Sequence, residues 1–200
     1  MVQQKESVVT PERYAQGMTY EQYVGSIERN RARFQENYDG TTVQDDDVAA
    51  LKGLMQKAGG PAKMLVLGED WCPDVFRGMP VFARVAEATG MELRVFPRDQ
   101  HKDIMAQFLK DGEFESIPVT VFYTKDMEYI AHFIERPVLA NEQMHELAPM
   151  YLRMRKPDKT PEEAEAAKQE YIAFQNGPTW GGWRQETIKE VIRALEERVR

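Results

Sequence analysis

The sequence predicts an α/β protein: a three-layer α/β/α sandwich with a central mixed sheet, extended by helices at both ends. Three observations carry that reading. Residues 63–67 and 91–97 are short apolar runs flanking a helical stretch from about 72 to 89, a βαβ unit whose strands should be parallel with a right-handed crossover. Residues 119–123 and 128–134, joined by Thr124 to Met127, look like an antiparallel hairpin. Helical periodicity fills most of the chain before 42 and after 137. The expected divisions are 1–42, an N-terminal helical extension; 43–136, the α/β core; and 137–200, a C-terminal helical region packed on that core.

Taken in order, residues 1–17 are polar and aperiodic and read as an irregular lead-in. Thr19 with Gln22 makes a capping-box signal. Tyr20, Tyr23, Val24, Ile27, Phe34 and Tyr38 then follow near helical spacing until Gly40, predicting one amphipathic helix. Asp45 to Asp47 could suggest a cation site, but no further oxygen ligands follow at calcium-loop spacing. Capping and dipole complementation of a helix carrying Val48, Leu51, Leu54 and Met55 explain them better. That helix should end at Gly59-Gly60.

Between the second strand and the hairpin, His101 to Lys110 reads as a short helix with Ile104, Met105, Phe108 and Leu109 on its apolar side. Asn141 to Arg155 is helical, though Pro149 argues against one unbroken helix. Thr160-Pro161-Glu162-Glu163 is a strong helix start. Trp180-Gly-Gly-Trp183 reads as a loop whose aromatics anchor it to the core, with a mobile lid or a partner site as the other option. Ile188, Val191, Ile192, Leu195 and Val199 form the apolar stripe of a final helix. That stripe favours packing, since a lone helix could not bury it; an oligomer interface is the alternative.

Composition narrows the function classes. The chain has 200 residues, 42% hydrophobic and 30% charged, with a net charge of −7. This suits a globular protein and argues against a nucleic-acid or anionic-membrane surface, which would need clustered Lys and Arg. No apolar run approaches the ~20 residues of a membrane span. Met1 to Glu6 lacks the apolar core of a signal peptide. The single cysteine excludes an internal disulfide and suggests a reducing compartment, with cytoplasm the default. His101, His132 and His145 lie on separate elements and give no zinc signature, so no metal and no cofactor is expected. No phosphate-binding loop, dinucleotide fingerprint or nucleophile elbow occurs.

The chemistry gathers at Lys63 to Val75. An apolar strand passes through an acidic turn and delivers Cys72 to the start of a helix. Unpaired amides and the helix dipole there favour a thiolate, and Pro73 suits the first helical position. A small buried hydrophobe is the plain alternative for Cys72, and simple packing the plain alternative for Trp71.

Trp71-Cys72-Pro73-Asp74-Val75 resembles the thioredoxin active-site motif, Trp before Cys-x-x-Cys, with Val75 in place of the second cysteine. Pro80 matches the proline that kinks the active-site helix in that family. Ile117-Pro118, ahead of the 119–123 strand, looks like its cis-proline loop; by itself Pro118 also suits an ordinary strand start. The resemblance covers roughly residues 43–136 and implies a thioredoxin-like sandwich.

It further implies Cys72 as the catalytic nucleophile, with Trp71, Pro73, Ile117 and Pro118 contacting substrate. The Ile117 backbone would offer hydrogen bonds to an extended substrate chain. Val75 cannot resolve a mixed disulfide, so turnover would need an external thiol. The buried carboxylate of the family is replaced by Val66, leaving Glu69 and Asp70 as candidate proton relays. A negative charge near Cys72, Asp74 included, would also raise its pKa. The function expected is one-cysteine thiol–disulfide exchange in redox homeostasis, with a protein or low-molecular-weight thiol or disulfide as partner. A redox-inactive binding module is the alternative; the oligomeric state is left open.

Overall fold

The computed structural model describes residues 7–199. The reading of Met1 to Glu6 lies outside the described residues. Four strands form one mixed sheet: β1 (Lys63–Gly68), β2 (Glu92–Pro97), β3 (Val119–Tyr123) and β4 (Tyr129–Ile134), in the order β2-β1-β3-β4. β1 runs parallel to β2 and antiparallel to β3, and β3 antiparallel to β4. Helices lie on both sides of the sheet, making the α/β sandwich expected. Met64 to Leu67 and all of β3 are buried. A strand covered on both faces needs a continuous apolar run in place of alternation, and these two are the central strands.

The lead-in is more ordered than its composition suggests. A short helix, α1 (Pro11–Ala15), is capped by the Thr10 hydroxyl. It buries Tyr14, whose hydroxyl lies 3.0 Å from the Met64 carbonyl and 3.1 Å from that of Glu92. Met18 then exchanges backbone hydrogen bonds with Val95, covering part of the β2 edge.

The single helix expected over 20–38 is two, α2 (Tyr20–Ser26) and α3 (Arg31–Asp39). The Thr19–Gln22 capping box is present. Gly25 and Ser26 weaken the helix locally; Ile27 is extended and Asn30 left-handed at φ 55°. The break frees the Arg29 amide and the Asn30 side chain to bond the carboxylate and carbonyl of Asp70, at 3.1 and 2.8 Å. Tertiary hydrogen bonds to the motif turn outweigh helix continuity there.

The three aspartates open α4 (Asp45–Met55), which ends earlier than Gly59-Gly60 and unwinds through turns. The 101–110 helix shrinks to α6 (Lys102–Met105), following α5 (Pro73–Thr89) in the chain. Ile104, Met105 and Phe108 are still buried, the last by turns that close at Asp111 and Gly112 with positive φ.

The C-terminal region holds two corrections. α7 (Val138–Arg155) is continuous through Pro149. The missing amide removes one bond to the His145 carbonyl, but Leu147 and Met150, on either side, pack with Ala140 and Trp183 in a second apolar cluster. α8 (Pro161–Gln175) has its Thr160–Glu163 capping box. Trp180 to Trp183 is no loop: it lies in the first turns of α9 (Pro178–Glu196), after Pro178 at the first helical position.

Two glycines in a helix cost roughly 1 kcal/mol each, and large buried aromatics offset that. Trp180 stacks on Phe76 with centroids 6.2 Å apart, and the Trp183 indole N–H donates to Gln143 at 2.6 Å. The aromatics anchor this segment as expected, from a helix. The stripe Ile188, Val191, Ile192, Leu195 and Val199 is buried in the main core together with the sheet. α9 therefore uses its apolar face inside the chain.

Candidate functional site

β1 ends at Gly68, and Glu69 to Trp71 turn the chain onto α5, where Cys72 is the N-cap residue and Pro73 the first helical position. The Cys72 thiol is half-buried, and its sulfur lies 3.7 Å from the Ile117 carbonyl as a weak donor. The Ile117–Pro118 peptide is cis. Gly78 permits the approach of that proline to α5, because a Cβ there would sit 3.1 Å from Pro118 Cγ. Cys72, Pro73, Ile117 and Pro118 are thus brought to one place, as the motif implied.

Trp71 is 45% exposed, and the Arg98 guanidinium covers its ring at 5.4 Å. Val66 and Val75 are fully buried. Val75 packs closely over Gly68, where a Cβ would meet its Cγ1 at 2.7 Å. Pro80 lies inside α5.

The candidate relay acids are engaged with other groups. The Glu69 carboxylate accepts the Asp99 amide at 2.7 Å, and that of Asp70 accepts the Arg29 amide. Burial, foremost, raises the Glu69 pKa. Only the Glu69 backbone is bonded to Cys72, its carbonyl accepting the Cys72 amide at 3.3 Å. Near these groups sits the buried Tyr23 hydroxyl, which has no hydrogen-bond partner among the described residues and feels the charges of Glu69, Asp70 and Cys72.

The electrostatic balance at Cys72 falls on the side of the thiol. Burial pushes its pKa up first and the Asp74 carboxylate pushes it further, with Glu135 adding to both; the Val75 and Asp74 amides of the first helical turn pull it back. Around it lies a charge network that sequence reasoning did not find. Arg77 is completely buried and donates to Asp74 at 3.3 Å and to the Glu135 carbonyl at 3.2 Å. Arg136 meets the other Asp74 oxygen at 3.3 Å and also pairs with Glu135, which pairs in turn with Lys110. The one sequence signal was the three-residue spacing of Asp74 and Arg77, common on any helix.

His101, His132 and His145 stay apart: one packs on Phe96, one bonds Tyr129, one bonds the Glu142 carbonyl. Among the described residues no group of three or more His, Cys, Asp or Glu could hold a metal ion. No helix among them is long and apolar enough to cross a membrane.

Comparison with known proteins agrees with this geometry. No curated protein matches the chain. A similar solved structure is that of a protein of unknown function from Pseudomonas aeruginosa, 17% identical with a TM-score of 0.63, covering 94% of this chain and 98% of that one. Another is an HIV epitope-scaffold, 18% identical with a TM-score of 0.61, covering 94% and 99%. At such identities the likeness shows the fold, and it takes in the helical extensions as well as the sheet. A family model described as Thioredoxin matches residues 17–150, wider than the 43–136 read from the motif. With the match spanning more than half of its length, the chain belongs to the thioredoxin family.

Proposed function

We propose that this protein carries out one-cysteine thiol–disulfide exchange through Cys72, in a reducing compartment such as the cytoplasm. The observation that carries the reading is the seat of the sulfur: at the N-cap of α5, half-exposed, facing the Ile117 carbonyl of the cis peptide and beside the exposed ring of Trp71. The substrate is a protein or low-molecular-weight disulfide.

The Cys72 thiolate attacks one sulfur of R–S–S–R′. The S–S bond breaks, R′–S⁻ leaves and takes up the proton Cys72 gave to solvent, and Cys72–S–S–R remains. Val75 offers no second sulfur, so an external thiol of the glutathione class attacks the sulfur of R. That step forms a new disulfide and returns the Cys72 thiolate. In sum, one external thiol is exchanged for one substrate thiol. Once the Cys72 proton is gone, the Ile117 carbonyl is free to accept an N–H from an extended substrate chain, and Trp71 supplies an apolar rim.

The second reading is a redox-inactive module that binds a protein partner at this surface. The buried Val75 and the burial that holds Cys72 protonated favour it. Reduction of a glutathionylated peptide in the presence of glutathione separates the two. Turnover that disappears in Cys72→Ser supports exchange. Equal rates for the two proteins, or none for either, would sink it and leave the binding module.

A further inference from the structure

Arg77 has no place in the expected motif. A guanidinium wholly out of water is costly unless held by acceptors and counter-charge. Here Asp74 at 3.3 Å supplies the counter-charge, and the Glu135 carbonyl at 3.2 Å a further acceptor. α9 adds two further contacts. The Thr187 hydroxyl lies 3.5 Å from Arg77, and the Trp183 ring faces its guanidinium at 6.0 Å. The C-terminal helix thus reaches the charge beside the motif.

The network contains three cations, Arg77, Arg136 and Lys110, and two carboxylates, Asp74 and Glu135. Asp74 has an arginine on each oxygen. Glu135, 15% exposed, lies between Lys110 and Arg136. Guanidinium groups remain protonated at any working pH. The two arginines face the carboxylate whose charge pushes the Cys72 thiol up.

We propose that Arg77, fastened from α9, is a positioning residue for the Cys72 sulfur: with Arg136 it holds and neutralises the motif carboxylate, so that the Asp74 charge opposes the Cys72 thiolate less than it otherwise would. This rests on Cys72 being the reacting sulfur. The other ionisable groups facing the site include Glu69, Asp70 and Tyr23 from the turn and α2, Tyr151 of α7 beside Arg136, Tyr171 of α8 on the side of Asp74, and Arg184 of α9 behind Arg77. Arg77 is the one that ties the charge at the thiol to the C-terminal helix.

The test is the thiol pKa of the full-length protein, read from the pH profile of iodoacetamide alkylation and from thiolate ultraviolet absorbance. Arg77→Met should raise it by about one unit. Alkylation at neutral pH should then slow about threefold, since the scarcer thiolate is the more nucleophilic. Arg136→Gln should shift it the same way by less, and Asp74→Asn the opposite way. Arg77→Lys, keeping the charge, should restore most of the wild-type profile.

Folded Arg77→Met with an unchanged pH profile overturns the proposal. If Arg77→Met does not fold, Arg136→Gln decides: a raised pKa supports the proposal and an unmoved one overturns it. Alkylation needs no disulfide substrate. Shifted profiles with no peptide turnover would therefore refute the exchange function and leave the role of Arg77 standing.

Discussion

Arg184 of α9 donates to the Asn37 side-chain oxygen of α3 at 2.9 Å, with both residues buried and 147 positions apart in sequence. Its other terminal nitrogen reaches the Gly40 carbonyl at 3.1 Å, and Asn37 in turn donates to the Arg33 carbonyl. Arg33 binds the Gln175 and Asn176 side chains at the end of α8. These bonds join the N-terminal and C-terminal helices into one layer. Replacing Arg184 by Met leaves the buried Asn37 oxygen without its donor, while that of exposed Gly40 can turn to water, and a buried unpaired acceptor costs about 1–3 kcal/mol. Urea denaturation of Arg184→Met should show a loss in that range. Arg193→Ala, which removes a largely exposed pair with Glu186, should change stability by less than about 1 kcal/mol. Equal effects would mean that the buried bonds contribute nothing beyond surface charge.

The Arg13–Asp103 pair ties the lead-in to α6. The Arg13 guanidinium bonds the Asp103 carboxylate and holds its pKa down, from 3.8 to about 2. A depressed carboxylate contributes stability above its unfolded pKa and loses it as pH falls through the folded one. Asp103 is about half exposed, so solvent screening keeps the contribution below about 1 kcal/mol. Asp103→Asn should be less stable than wild type near neutral pH. The gap between their melting curves should close between about pH 4 and pH 2. A gap constant across that range would place the effect in packing.

Gly68 is needed where it stands. A Cβ there would lie 2.7 Å from Val75 Cγ1 and 2.8 Å from Met79 Cε. Gly68→Ala should cost about 1–3 kcal/mol through overpacking. Val75→Ala in the same chain should return part of that cost, giving a coupling of about 0.5–3 kcal/mol in a double-mutant cycle. Strict additivity would show that strand and helix do not meet there.

Val75→Cys would place a second sulfur where the two-cysteine members of the family carry theirs. The side chain is fully buried and slightly larger than cysteine, so the change should cost about 0.5–1.5 kcal/mol. On mild oxidation the variant should lose both titratable thiols per chain without forming dimers. Two thiols persisting after oxidation would mean that this helix start is not shaped for a disulfide.

The fold was largely legible because its signals are local. Two central strands covered on both faces must be mostly apolar, and Met64 to Leu67 and, apart from the buried Thr120, Val119 to Tyr123 are. Thr19, Thr160 and Gly90 mark helix ends through bonds or backbone angles that span only a few residues. Local rules erred where distant partners intervene. Asp70 draws on residues 29 and 30 and breaks the 20–38 helix, while Trp180 and Trp183 are anchored inside the protein and sustain a helix through two glycines.

The candidate site divides the same way. By itself the sequence determined the strand-to-helix turn that presents Cys72 and the lack of a second cysteine at Val75, because each is a matter of residue identity at fixed spacing; the proline opposite was implied by the family resemblance. Only the tertiary structure decided the environment of the sulfur. Arg77, Lys110, Glu135 and Arg136 meet near Cys72 through separate elements, and α9 closes over Arg77 from more than a hundred residues away. Burial and net charge at a point are sums over everything packed around it, and no local stretch of sequence contains that sum.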